Sequence, residues 1–203
     1  LVQGGLTHLT PTTQRLLAIL LLSALWMPAL VTLRAGATEA EEWAKGYRQA
    51  HEEIAQWLAA ATPITTTVAL MDVGIIGFES QRPVLDIAGL VNREVAEMMH
   101  AGGGWIASNP PTAAAIADYT LARQPEVVIL AHNSSPEAPF VSHWSHDTAI
   151  YHHAKFKAEY ELLFVRQHRA TYYLSVYARK GLAFTPPAPA AMGDEGSRLA
   201  PLH

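Results

Sequence analysis

Two aspartates that each close a short apolar run are the residues best placed to do chemistry in this 203-residue chain. Val68-Ala69-Leu70-Met71 ends in Asp72-Val73-Gly74, and Val84-Leu85-Asp86-Ile87 runs on to Gly89. Such runs read as strands buried on both faces, so Asp72 and Asp86 fall at strand C-terminal ends. In open α/β sheets that edge gathers ligands, because loops and helix N-termini bring unpaired amide donors there. A third run, Val127-Val128-Ile129-Leu130, leads into Ala131-His132-Asn133-Ser134-Ser135. If the three strands are parallel, His132 and Asn133 join Asp72, Gly74 and Asp86 at one edge as a substrate-binding set. Aspartate also caps turns whatever the function, and that reading stands beside the functional one. No catalytic residue is assigned.

Ten histidines and no cysteine invite a metal reading, since neutral imidazole binds zinc and similar ions. The spacing allows His143 and His146 with His152 or His153, but no HExxH pair fixes a ligand geometry. No metal site is assigned, and the stretch reads instead as a polar, aromatic surface loop whose Trp144 and Tyr151 could meet lipid headgroups. Gly102-Gly103-Gly104 could cradle phosphate, yet it follows a helix and has no accompanying lysine, which is the pattern of a linker.

The elements that must position these residues can be read in order. Residues 1–15 are expected to form a loop. Leu16 to Leu33 carries no charge over about the length needed to cross a bilayer, with Arg15 and Arg34 as flanks, so 16–34 is predicted to be one transmembrane helix. A secretory signal ending at Ala35-Gly36-Ala37 is the competing reading, and both export the chain from Thr38 onward. Ala40 to Ala61 has Trp43, Tyr47, Ala50, Ile54, Trp57 and Leu58 at helical spacing, an amphipathic helix that lays its aromatic stripe on the sheet. Asn92 caps a helix to about Ala101, and Pro110-Pro111 opens another through Ala122. Tyr160 to Val165 and Thr171 to Arg179 alternate as strands, split by Gln167-His168-Arg169, which predicts an antiparallel hairpin. Its Tyr173, Ser175 and Tyr177 face could stack against a sugar. The fold class is therefore α/β: residues 38–182 form a three-layer-like domain with a mainly parallel sheet and a C-terminal hairpin, and 183–203 are a disordered tail.

Composition bounds the function. About 165 residues after the apolar segment suffice for one domain with its own core. A net charge of -4 and a pI near 6.2 give no basic field, so nucleic acid is excluded as a partner. The absence of cysteine removes disulfides, thiolate zinc and thiol catalysis together.

The order of apolar strand, Asp72-x-Gly74, Phe78 with Ser80 behind it, then Pro83-Val84-x-Asp86-x-x-Gly89-Leu90, resembles the extracytoplasmic C-terminal region of bacterial GT-C glycosyltransferases. These polytopic enzymes use lipid-linked sugar donors and include relatives of the dolichyl-phosphate-mannose mannosyltransferases. The resemblance runs from the apolar segment to Lys180 and adds Ser80 to the binding set. It implies the bacterial inner membrane, with the domain outside the cytoplasm and membrane lipid, a polyprenyl-phosphate sugar and the parent's other transmembrane helices as partners. The family's catalytic carboxylate lies in an early exported loop that this chain lacks, so the chain reads as the tail of a longer enzyme. It would shape the acceptor side and need no cofactor of its own, any divalent metal belonging to the parent. The alternative is a stand-alone, membrane-anchored periplasmic binding or assembly module.

Overall fold

The structure is a computed structural model that describes residues 10–104, 109–135, 138–169 and 171–187, with the side chains of Leu25 and Arg169 set aside. These residues fall into two compact units, one ending at Ala44 and the other beginning at Lys45.

The first unit consists of the earlier part of helix α1 (Pro11–Ala61). Its Leu16, Ile19, Leu20, Leu22, Trp26, Val31 and Leu33 are all exposed. It is one helix long and apolar enough to cross a membrane. Helix begins at Pro11, so 11–15 are not loop, and the expected residues 1–9 lie outside the described set. The two helices foreseen at 16–34 and 40–61 are one element. Ala35, Ala37, Glu39 and Ala40 are strong helix formers, and a single Gly36 costs only about 1 kcal/mol against alanine. Pro28 is carried inside the helix, where its carbonyl accepts a 2.9 Å hydrogen bond from Thr32 Oγ1.

The second unit is a five-stranded α/β sandwich. In chain order it adds β1 (Val68–Leu70), α2 (Val73–Ser80), β2 (Val84–Asp86), α3 (Arg93–Ala101), α4 (Pro110–Ala122), β3 (Val127–His132), α5 (Ser145–His152), α6 (Ala154–Glu159), β4 (Tyr160–Arg169) and β5 (Tyr172–Arg179). The sheet order is β2-β1-β3-β5-β4, with β1 parallel to both β2 and β3 and the last two strands antiparallel. The predicted fold class is thus observed: a mainly parallel sheet completed by a hairpin. The hairpin differs in one respect, because Gln167-His168-Arg169 continues β4 instead of breaking it. β5 is an inner strand buried on both faces, so Tyr177 packs on Phe156 and Tyr151.

The connection from β1 to β2 runs one way across the sheet and that from β2 to β3 runs back past β1. Right-handed crossovers therefore put α2 on one face and α3 and α4 on the other. The lysine-to-alanine stretch of α1 within this unit shares the α2 face. Ile54 and Leu58 are fully buried there, Trp57 meets Phe164 edge-on at 4.9 Å, and Arg166 pairs with Glu53 at 2.7 Å. Asn92 caps α3, its Oδ1 accepting from Val95 N at 3.5 Å, and Asn109 Oδ1 caps α4 by accepting from Thr112 N at 3.0 Å.

Candidate functional site

The parallel strands β1 and β3 pair over only Val68 with Val127 and Ala69 with Val128 before β1 stops. The chain reverses its direction of travel across the sheet at this point, so a crevice opens between the C-terminal ends of β1 and β3. Two carboxylates occupy it in different surroundings.

Asp72, directly after β1, precedes the first turn of α2 but does not cap it with its side chain. Its Oδ2 accepts instead from Tyr172 Oη at 3.1 Å and lies 3.3 Å from His51 Nε2. His51 is fixed by its other nitrogen, since Nδ1 sits 2.6 Å from the carbonyl of Tyr47 one helical turn earlier and must donate to it. Tyr47 stacks on His51 at 3.8 Å and directs its own hydroxyl toward Asp72. Burial first, and the Asp72 charge second, push the Tyr47 hydroxyl up to about 12 and that of Tyr172 higher still. Both stay protonated donors. The Asp72 side chain is 20% exposed, so this donor-lined carboxylate is open to solvent.

Asp147, on α5, is the second carboxylate and is wholly buried. Its Oδ2 lies 3.5 Å from Ser142 Oγ, and its Oδ1 is buried without a hydrogen-bond partner among the described residues. Burial, reinforced by the charge on Asp72, pushes its carboxyl well above the usual range, toward the protonated form. The two carboxyl groups thus lie in different surroundings, Asp72 partly exposed and Asp147 wholly buried.

The other predicted residues disperse. Asp86 is buried and spends its carboxylate on the following turn, accepting from Ala88 N at 2.8 Å, Gly89 N at 3.1 Å and Val91 N at 2.6 Å. That turn needs Gly89, whose φ is +77° and whose Cβ would come within 2.7 Å of Ala96 N. Ser80 ends α2 at the opposite sheet edge, where its Oγ accepts from Arg82 N. Arg82 in turn donates to the carbonyls of Ser80, Ala59 and Thr62, closing the end of α1. Gly74 lies in the first turn of α2 with open space beside it. Asn133 ties the loop after β3, donating to Thr171 O at 3.0 Å and accepting from His143 N at 3.3 Å.

His132 shares the edge with Asp72 but not the face. Its neighbour Tyr173 stacks on it at 5.5 Å, while Tyr172, one residue earlier on β5, turns to Asp72. The histidine loop is likewise corrected. Ser145–His152 is helical, and His146 and Asp147 are buried within the fold, while His143 and His152 are exposed. Among the described residues, no group of three His, Cys, Asp or Glu is disposed to hold a metal ion.

Sequence reasoning missed His51, Tyr47 and Tyr172 as partners of Asp72. The signal for the first two was the four-residue spacing that put them on the buried stripe of α1. The fold is an α/β domain, and the Asp72 group sits at its topological switch point. The chain belongs to the family described as a domain of unknown function, DUF8728, whose model matches residues 39–177. No curated protein and no solved structure matches it.

Proposed function

We propose that this domain is the extracytoplasmic part of a bacterial inner-membrane glycosyltransferase that takes its sugar from a polyprenyl-phosphate carrier. The domain binds on the acceptor side and does not itself carry out transfer. The observation that carries the reading is the Asp72 group: a carboxylate, one fifth exposed, framed by the hydroxyls of Tyr47 and Tyr172. Carboxylate and phenol together accept from and donate to a substrate alcohol, and the tyrosine rings offer apolar faces beside them. A carboxylate already engaged by His51 and the Tyr172 hydroxyl orients the acceptor by hydrogen bonding. Catalytic carboxylate and any divalent metal belong to the remainder of the enzyme. The helix in Pro11–Ala61, long and apolar enough to cross a membrane, fits a membrane-anchored enzyme.

The test is transfer by the full-length gene product in proteoliposomes carrying a polyprenyl-phosphate sugar. Asp72→Asn is expected to raise the acceptor KM about tenfold, the loss of one charged hydrogen bond, with kcat changed less than about threefold. An unchanged KM, or a collapse of kcat at unchanged KM, refutes the acceptor role. Acceptor binding that depends on Asp72 without any transfer would favour the membrane-anchored binding module.

A further inference from the structure

The hairpin end brings a third ring to the two phenols that frame Asp72. β4 runs on through Gln167-His168-Arg169, and Arg169 pairs with Tyr172 across the turn. His168 is 7% exposed, and its ring centroid lies 5.4 Å from that of Tyr47 and 5.1 Å from that of Tyr172, at interplanar angles of 80° and 88°. We infer that His168 is a positioning residue for the Asp72 group: its ring holds Tyr47 and Tyr172 in the orientations that carry their hydroxyls to the carboxylate. Gly46 lets α1 come close enough for it to do so. The inference rests on the acceptor reading of Asp72 given above.

The two phenols come from different elements, Tyr47 from α1 and Tyr172 from β5. A tyrosine ring is placed by its side-chain torsions, and packing decides which rotamer it keeps. His168 packs on both rings at once, and in the near-perpendicular geometry that aromatic pairs favour. So placed, the Tyr172 hydroxyl reaches Asp72 Oδ2 at 3.1 Å, and the Tyr47 hydroxyl bonds the same carboxylate. The approach of α1 is what brings Tyr47 to this ring. A Cβ on Gly46 would stand 2.6 Å from the His168 carbonyl oxygen and 3.3 Å from its Cδ2, and the first of these is a backbone clash that no change of rotamer relieves. Inside a helix alanine is favoured over glycine, so Gly46 weakens α1 locally, and the close contact it permits explains why it stands there. Tyr47 is the next residue and His51 lies about one turn beyond it, so a retreat of α1 from His168 would draw both away from Asp72.

The experiment has a spectroscopic and a kinetic arm. In this chain, held in detergent micelles with its aspartate carboxyls isotope-labelled, the Asp72 Cγ resonance reports its phenol donors, and Tyr172→Phe calibrates the shift that follows the loss of one. His168→Ala is expected to move that resonance in the same direction, by about half as much or more, while His168→Phe, which keeps a flat ring, leaves it in place. Gly46→Ala, whose alanine favours the helix itself, should move it likewise, and it decides the question if His168→Ala does not fold. In the full-length gene product in proteoliposomes, His168→Ala and Gly46→Ala are each expected to raise the acceptor KM about threefold or more with kcat within about twofold, and His168→Phe to keep the wild-type KM. The inference is overturned by an Asp72 resonance that neither alanine variant moves, or by a His168→Phe variant as impaired as His168→Ala. An unchanged KM in Asp72→Asn, together with a shifted carboxyl resonance in His168→Ala, overturns the acceptor reading and leaves the positioning role standing.

Discussion

Replacing His146 by leucine should stabilise the protein, and more so in acid. The side chain is 1% exposed, and neither ring nitrogen has a hydrogen-bond partner among the described residues. Burial lowers its pKa from 6.5 to about 4, against a smaller opposing pull from the Asp86 charge. The folded state thus holds a neutral ring that the unfolded chain protonates. For a base depressed on folding, the penalty is absent well above 6.5, grows as the pH falls below it, and levels off under about 4. At about 1.4 kcal/mol per pH unit, the fold loses about 2 kcal/mol through this residue between pH 7 and pH 5. Leucine fills a comparable volume and removes two buried polar atoms, worth about 1 kcal/mol or more at pH 7. Urea unfolding of the chain in detergent micelles, followed by tryptophan fluorescence at the buried Trp57, reads both terms. Leucine should gain about 1 kcal/mol over wild type at pH 7 and about 3 kcal/mol at pH 5. Asp147 works in the opposite sense, since its raised pKa supports the fold in acid and the support fades as pH rises above the ordinary carboxylate value. It is present in both proteins, so the difference between them isolates His146. A gain equal at the two pH values within about 0.5 kcal/mol would refute the reasoning, because it would mean that His146 accepts its proton in the folded state at its ordinary pKa.

Asp86→Ala should cost about 3 kcal/mol or more in the same unfolding assay, since three backbone amides lose their shared acceptor inside a turn that Gly89 already commits. A loss below about 1 kcal/mol would show that water serves those amides equally well. Arg82→Met keeps much of the side-chain stem but removes the donors to Ser80, Ala59 and Thr62; it should lower stability by about 2–4 kcal/mol, and backbone hydrogen exchange near Ala59 should accelerate.

How far the fold was legible depends on what each run of residues must do. Val68 to Met71, Val84 to Ile87 and Val127 to Leu130 are apolar almost throughout, which only a strand covered on both faces tolerates, and the asparagine caps at 92 and 109 mark helix starts by their own side chains. The joining of membrane segment and amphipathic helix was not legible, because Ala35 to Ala37 suits a signal cleavage site and an unbroken helix alike. The site was half legible. A shared sheet edge places Asp72 and His132 within one region, but a pleat divides them, and only register says how. Val68 pairs with Val127, so Asp72 is level with Ala131, and His132, one residue on, points to the other face. A one-residue change in that pairing would have put the two together.

The two carboxyl groups at this edge differ because their surroundings do. β1 ends at Leu70, and its pairing with β3 stops at Val128. Asp147, on α5, is carried into the interior near the Asp72 charge, and both effects push its carboxyl toward the protonated form. Asp72, by contrast, remains at the solvent boundary and has His51 and Tyr172 to hold its charge. Exposure therefore separates the two carboxyls: Asp72 can meet a ligand, and the wholly buried Asp147 cannot without a change in the fold.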